Sequence, residues 1–277
     1  MTEAVLYVVA TPIGNLADMV PRAVEVLQTV DWIAAEDTRH SSRLLAHFDI
    51  STPAIAYHDH SDERQTRQLL EKLQSGQSIA LISDAGTPLI SDPGYRLVRV
   101  VREAGIRVVP IPGACALIAA LSVSGLPSDR FAFEGFLPAK SGQRLNRLQP
   151  LQNEERTLIF YEAPHRIAES LSDMATVFGG ARPAVLAREI TKTFETIENG
   201  SLDELVAFVN ADSNQRRGEM VIVVEGARLD PQDLDPESQR IMGILLRDLS
   251  VKQASALGAE ITGVKKKVLY QWALDNN

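Results

Sequence analysis

A chain of 277 residues, 45% apolar but only 5% aromatic, has material for about two domains with cores of Leu, Val, Ile and Ala. Its single cysteine, Cys115, excludes an internal disulfide framework and fits a reducing compartment. The net charge of −8 argues against indiscriminate nucleic-acid binding, and no stretch approaches the roughly 20 apolar residues that span a bilayer.

From the start of the chain, acidic Glu3 precedes a short apolar run, Val5–Ala10, that meets Thr11-Pro12. This is no secretory leader, so a cytoplasmic location with no membrane contact is expected. The predicted strands are Val5–Ala10, Trp32–Glu36, Ala54–Tyr57, Ile79–Ser83, Val108–Ile111 and Phe131–Glu134. Between them lie predicted helices at Pro21–Val30, Asp62–Ser75, Gly94–Ala104 and Ala114–Ser124. Such alternation predicts a mostly parallel sheet covered on both faces.

The polar stretch Leu137–Asn153 reads as a linker containing a short helix. Strands are predicted again at Thr157–Tyr161, Pro183–Arg188, Thr193–Asn199 and Met220–Glu225, with helices at Pro164–Val177 and Leu202–Asn210. A turn-rich acidic segment, Leu229–Pro236, leads to three predicted helices: Glu237–Leu249, Val251–Leu257 and Val264–Leu274. The domains therefore read as 1–136, 137–228 and 229–277, the first two α/β and the last helical. Between Gln239 and Leu274 six basic residues face two acidic ones, a net +4 that leaves −12 for the rest. That balance fits either an RNA-docking module or an ordinary solvated helical tail.

Two loops carry special residues at strand ends. Thr11-Pro-Ile-Gly-Asn-Leu16 follows the first strand, where α/β folds place ligands. Gly14 permits close approach and Pro12 fixes the turn, although a tight turn alone would use the same residues. Ser83-Asp-Ala-Gly-Thr-Pro-Leu-Ile-Ser-Asp-Pro-Gly94 follows the fourth strand and suits a polar small molecule. Its Asp84 favours a cation nearby, such as a sulfonium or an amino group. No Gly-x-Gly-x-x-Gly and no phosphate-loop motif occurs. His58-x-His60 could hold a metal or belong to a solvated loop, and the histidines otherwise show no metal spacing.

Seven ordered motifs carry a resemblance. They are Leu6–Leu16, Ala34-Ala-Glu-Asp-Thr-Arg39, Ser83–Gly94, Pro110-Ile-Pro-Gly-Ala114, Phe160-Tyr-Glu-Ala-Pro-His-Arg166, Ala187-Arg-Glu-Ile-Thr-Lys192 and Gly218-Glu219. Together they resemble the tetrapyrrole-methylase superfamily, and within it the bacterial branch that acts on small-subunit rRNA. The resemblance implies two α/β domains of the class III methyltransferase type plus a small C-terminal helical domain. S-adenosylmethionine would sit folded in the cleft between the α/β domains of a homodimer. By the same resemblance, the substrate would be the 2′-hydroxyl of cytidine 1402 in the decoding region of 16S rRNA.

Positions matching the family's cofactor pocket are Pro12, Gly14, Asp84, Ala85, Gly86, Thr87, Ile90, Ser91, Ala114, Cys115, Tyr161, Glu162, Arg188, Gly218 and Glu219. Cys115 departs from the hydroxyl residue that the family's cobalamin-precursor branch often carries after Pro-Gly-x.

A ribose hydroxyl needs a proton acceptor, for which Glu36, Asp37, Glu162 and Glu219 are candidates. Arg39 could clamp a phosphate. Glu36-Asp37-Thr38-Arg39 is the preferred catalytic set; its alternative reading is that Asp37 caps a helix and Arg39 forms a surface ion pair. In the tail, Lys265, Lys266 and Lys267 open the second helix of a helix-turn-helix-like pair and are candidate RNA contacts. A dimer-packing or stabilising role is the alternative. Two rival functions stay open: a tetrapyrrole C-methyltransferase and a ribosome-binding module without catalysis.

Overall fold

The computed structural model describes residues 4–58, 63–228, 234 and 236–276. They form two compact units, Met1–Glu225 and Gly226–Asn277.

The first unit opens with β1 (Val5–Val9), α1 (Pro21–Thr29), β2 (Trp32–Ala35), α2 (Thr38–His47) and β3 (Ala54–Ala56). It continues through α3 (Glu63–Gln74), β4 (Ile79–Ile82), α4 (Tyr95–Glu103), β5 (Arg107–Ile111) and α5 (Ala116–Ser124). The five strands pair in parallel in the order β3-β2-β4-β1-β5. Both faces are covered, which is why β1 and β4 are near-continuous apolar runs. Val9, Ile33, Ala35 and Ile82 pack under α1 and α2, while Leu6, Ala34, Ile79 and Leu81 pack under α3 and α4. Helix α2 has no counterpart among the helices predicted above: four of its first six residues are Thr, His and two Ser, weak helix formers, and an N-cap starts it instead.

A second sheet follows: β6 (Phe131–Phe136), α6 (Ser141–Leu148), β7 (Thr157–Glu162), α7 (Ile167–Phe178) and β8 (Pro183–Arg188). The remaining elements are β9 (Thr196–Ser201), α8 (Leu202–Ala211) and β10 (Met220–Val224). Its order is β6-β7-β10-β8-β9; β6 runs parallel to β7 and all other pairs are antiparallel.

Two expectations need correction. Phe131–Phe136 is not the last strand of the first sheet but an edge strand of the second, paired with β7. The segment 137–153 is more than a linker, because α6 is anchored by Arg144. That fully buried guanidinium donates to Asp173 at 2.6 Å and to Glu169 at 3.4 Å, both on α7.

Helix α5 links the halves. It follows the first sheet in sequence, yet Leu117, Ala120 and Leu121 pack on Ile159, Val185, Val221 and Val223 of the second. Helices α7 and α8 cover that sheet's other face.

The second unit comprises α9 (Pro236–Leu245), α10 (Val251–Thr262) and α11 (Lys266–Asp275). Ser250 and Gln253 form a capping box at the start of α10, and Gly263, at φ 75°, ends it. Leu234, Met242, Ala254, Leu269 and Ala273 make its core. Lys265, Lys266 and Lys267 are exposed at the start of α11. Most of the acidic segment at 229–236, and His60, lie outside the described residues.

Candidate active site

The turns after β1 and β4 meet edge to edge. Thr11 donates its amide to Gly86 O at 2.9 Å, and the Gly86 amide donates to Thr11 O at 3.0 Å. Gly86 has φ 80°, and a Cβ there would lie 3.2 Å from Ile13 Cγ2 and 3.7 Å from the Ala114 carbonyl. Three strand-end turns therefore converge on a position only glycine fills without strain. The Thr87 hydroxyl ties the third turn in by donating to Ala114 O at 3.0 Å.

These turns wall a cavity of about 330 Å³, within the roughly 300–1,000 Å³ of small-molecule sites. The other wall comes from the second sheet. Among the residues put forward from sequence, Glu36, Asp84, Ala85, Gly86, Thr87, Ile90, Ser91, Cys115, Tyr161, Glu162 and Glu219 line it. Ile13, Asp92, Phe136, Ala163, Pro164, Ile190 and Val221 line it as well. Five of these seven additions (Ile13, Asp92, Ala163, Pro164 and Ile190) lie inside the quoted motifs, one or two residues from a named position, and Val221 lies two residues past Glu219. Phe136 carried no such signal; it arrives because β6 belongs to the second sheet.

Pro12, Gly14, Ala114, Arg188 and Gly218 are not lining residues, and the structure gives each a supporting place. A Cβ on Gly14 would meet Lys192 Cγ at 2.4 Å, so this glycine lets the two halves approach one another. A Cβ on Gly218 would strike the Glu189 side chain at 2.3 Å. Arg188 is buried and donates to Thr196 Oγ1 at 2.9 Å. Pro12 is buried behind the turn.

Strain collects at this cleft. Leu89 and Ser91, in the turn after β4, and Glu189 and Thr191, after β8, are non-glycine residues at positive φ. The buried Thr191 hydroxyl has no hydrogen-bond partner among the described residues. That irregular turn also explains why β9 begins at Thr196 rather than at Thr193.

The carboxylates fall into distinct roles. Glu162 accepts from the Ala163 amide at 2.7 Å, from Arg166 Nε at 2.9 Å and from the Ser170 hydroxyl, so both oxygens are engaged in structure. Asp37 likewise caps α2: it accepts from the Arg39 amide at 2.8 Å and pairs with the Arg39 guanidinium at 3.0 Å. The Arg39 side chain and amide lower its carboxyl to about 2. The capping and ion-pair alternative is what the structure contains.

Glu36 lines the cavity and accepts from the Asp84 amide at 3.4 Å, while Asp84 Oδ1 accepts from the Asp37 amide at 3.2 Å. Glu219 and Glu189 share Lys192, each at 2.9 Å from its ammonium. Burial would raise Glu189, but the Lys192 and Glu219 amide hydrogen bonds outweigh it and leave its pKa lowered. Burial also pushes the Tyr161 hydroxyl far above its usual value, and its oxygen accepts from the Leu117 amide at 3.2 Å.

The lining thus holds five carboxylates, Glu36, Asp84, Asp92, Glu162 and Glu219, and no lysine or arginine. No cluster of metal-ligating residues occurs among the described residues, and none of their helices is long and apolar enough to cross a membrane.

A parallel sheet and a mixed sheet whose loops close on one carboxylate-lined cleft define an α/β enzyme with a small-molecule site. The profile of the Tetrapyrrole (Corrin/Porphyrin) Methylases matches residues 5–206, and the chain belongs to that family. A second profile, the RsmI C-terminal HTH domain, matches residues 232–277. The ribosomal RNA small subunit methyltransferase I of Pseudomonas aeruginosa is 59% identical over 276 residues, covering 99% of this chain and 98% of the relative. The protein of the same name from Escherichia coli O157:H7 is 57% identical, covering 99% and 96%. Among solved structures, diphthine synthase superimposes with a TM-score of 0.65 at 16% identity, covering 82% of this chain and 92% of that one. That likeness concerns the fold.

Proposed function

We propose that this chain is an S-adenosylmethionine-dependent methyltransferase that modifies the 2′-hydroxyl of cytidine 1402 in 16S rRNA of the small ribosomal subunit. The cleft lining carries the reading. A lining that holds Glu36, Asp84 and Asp92 besides the ion-paired Glu162 and Glu219 suits a ligand bearing a sulfonium and an ammonium, and Ile13, Ile90, Phe136 and Ile190 offer apolar surface for its adenine. Relatives of matching length, 57–59% identical and named for small-subunit rRNA, favour RNA over a tetrapyrrole as the methyl acceptor.

S-adenosylmethionine brings a methyl group already activated by the positive sulfur. The protein's task is alignment, which can supply roughly 7–11 kcal/mol of a barrier. The clasped turns at Thr11, Gly86 and Thr87 fix the cofactor side. Glu36, a lining carboxylate at the end of β2, is the group to take the hydroxyl proton. Arg39, whose side chain is 90% exposed, turns from Asp37 to a phosphate and holds the nucleotide. In the second unit, Lys265–Lys267 put three cations where the dipole of α11 disfavours them, a cost that RNA phosphates would offset.

The enzyme works in the cytoplasm as a homodimer; Ile118 and Val123, apolar and exposed on α5, are candidate contacts. Sedimentation should report a dimer at micromolar concentration.

The central test uses small subunits from cells lacking this protein, incubated with labelled S-adenosylmethionine and mapped by mass spectrometry. One ribose methyl at the stated cytidine is expected. Transfer to a base, or to a corrin and not to RNA, would overturn the assignment.

A further inference from the structure

We infer that the outer face of α2 is a docking track for the RNA sugar–phosphate backbone beside the nucleotide being modified. The inference rests on the proposed RNA substrate. Helix α2 begins two residues after Glu36, a cleft residue, so it runs outward from the cleft's mouth. Its inner face is pinned by buried Ser41 and Leu45. Its outer face exposes Arg39, His40, Arg43 and His47, and the ten residues include no acid. On a chain of net charge −8 that is a local reversal of sign.

Arg43 makes no ion pair or hydrogen bond with any described residue. At 1.5 Å per residue it stands about 6 Å beyond Arg39, and His47 about 12 Å beyond. The arrangement also resolves an electrostatic conflict. A cleft lined by carboxylates repels phosphates, so a strand delivering one ribose to it needs its backbone charge met outside the cleft. The basic face of α2 is positioned to meet it.

The test uses the full chain with Arg43→Glu and Arg43→Ala, and Arg102→Glu as a control of equal charge change. Arg102 is the penultimate residue of α4, shortly before the start of β5 and hence at the sheet edge opposite the cleft. S-adenosylmethionine affinity, measured by calorimetry, should stay within about twofold in all three, which also reports that each folds. For Arg43→Glu, KM for the small subunit should rise roughly 5–10-fold with kcat unchanged. Arg43→Ala should lower the salt slope of particle binding by about one. KM and salt slope equal to wild type, or the same change in Arg102→Glu, would overturn the inference. Wild-type protein that transfers no methyl to the particle would instead remove the RNA reading beneath it.

Discussion

Gly86 shows how much of the site depends on one missing methyl group. Its positive φ and its contacts with Ile13 and Ala114 mean that Gly86→Ala must strain the backbone by about 1–2 kcal/mol. Calorimetry should find S-adenosylmethionine bound roughly 5–30-fold more weakly, and unchanged affinity would show that this turn does not shape the grip. Asp37 offers a pH readout. Its carboxyl titrates near 2 when folded, below the ordinary 3.8, so its contribution to capping α2 is complete above 3.8 and lost as pH falls through 2. In Arg39→Ala the midpoint, followed by carboxyl carbon NMR, should move up. Glycines, prolines and acids clustered at strand ends marked this cleft in the sequence. The duties of individual carboxylates were not legible there. Glu162 reads as a candidate base until its neighbours Arg166 and Ser170, four and eight residues on, curl back over it.

At the scale of elements, strands written as unbroken apolar runs were legible because a doubly covered sheet demands them. Partnership was harder. Nothing local in Phe131–Phe136 says which sheet it joins, since pairing is decided by contacts distant in sequence. The polar composition of 137–153 let a short helix be read there but not its place in the second domain's core, because α6 buries Arg144 alongside Leu148. Removing that charge leaves Asp173 with the Ser141 hydroxyl but no cation, so Arg144→Ala should cost about 3 kcal/mol or more in urea unfolding. A loss below about 1 kcal/mol would mean that α6 is held chiefly by Leu145 and Leu148. In the helical unit, Gly258 allows α10 to approach Met242, whose sulfur would lie 2.7 Å from a Cβ. Gly258→Val should therefore overpack this small core and lower its melting temperature, as read by calorimetric scanning.

For the whole molecule, the proposed function assigns different tasks to the two compact units. A chain ending at Arg228 should bind S-adenosylmethionine as tightly as the full protein and methylate small subunits much more slowly, chiefly through a higher KM. A truncated enzyme with normal particle kinetics would assign the last helices to stability alone. The placement of α5 has a consequence for descent. A crossover between two diverged genes just after β5 would run its seam through Cys115 and Ala116, inside the cleft. One placed after β6 would separate that strand from β7, and any point between α5 and β6 would part α5 from the sheet it packs against. The two α/β halves are thus bound to be inherited as one block, whereas the helical unit, joined by a single acidic segment, is free to be exchanged.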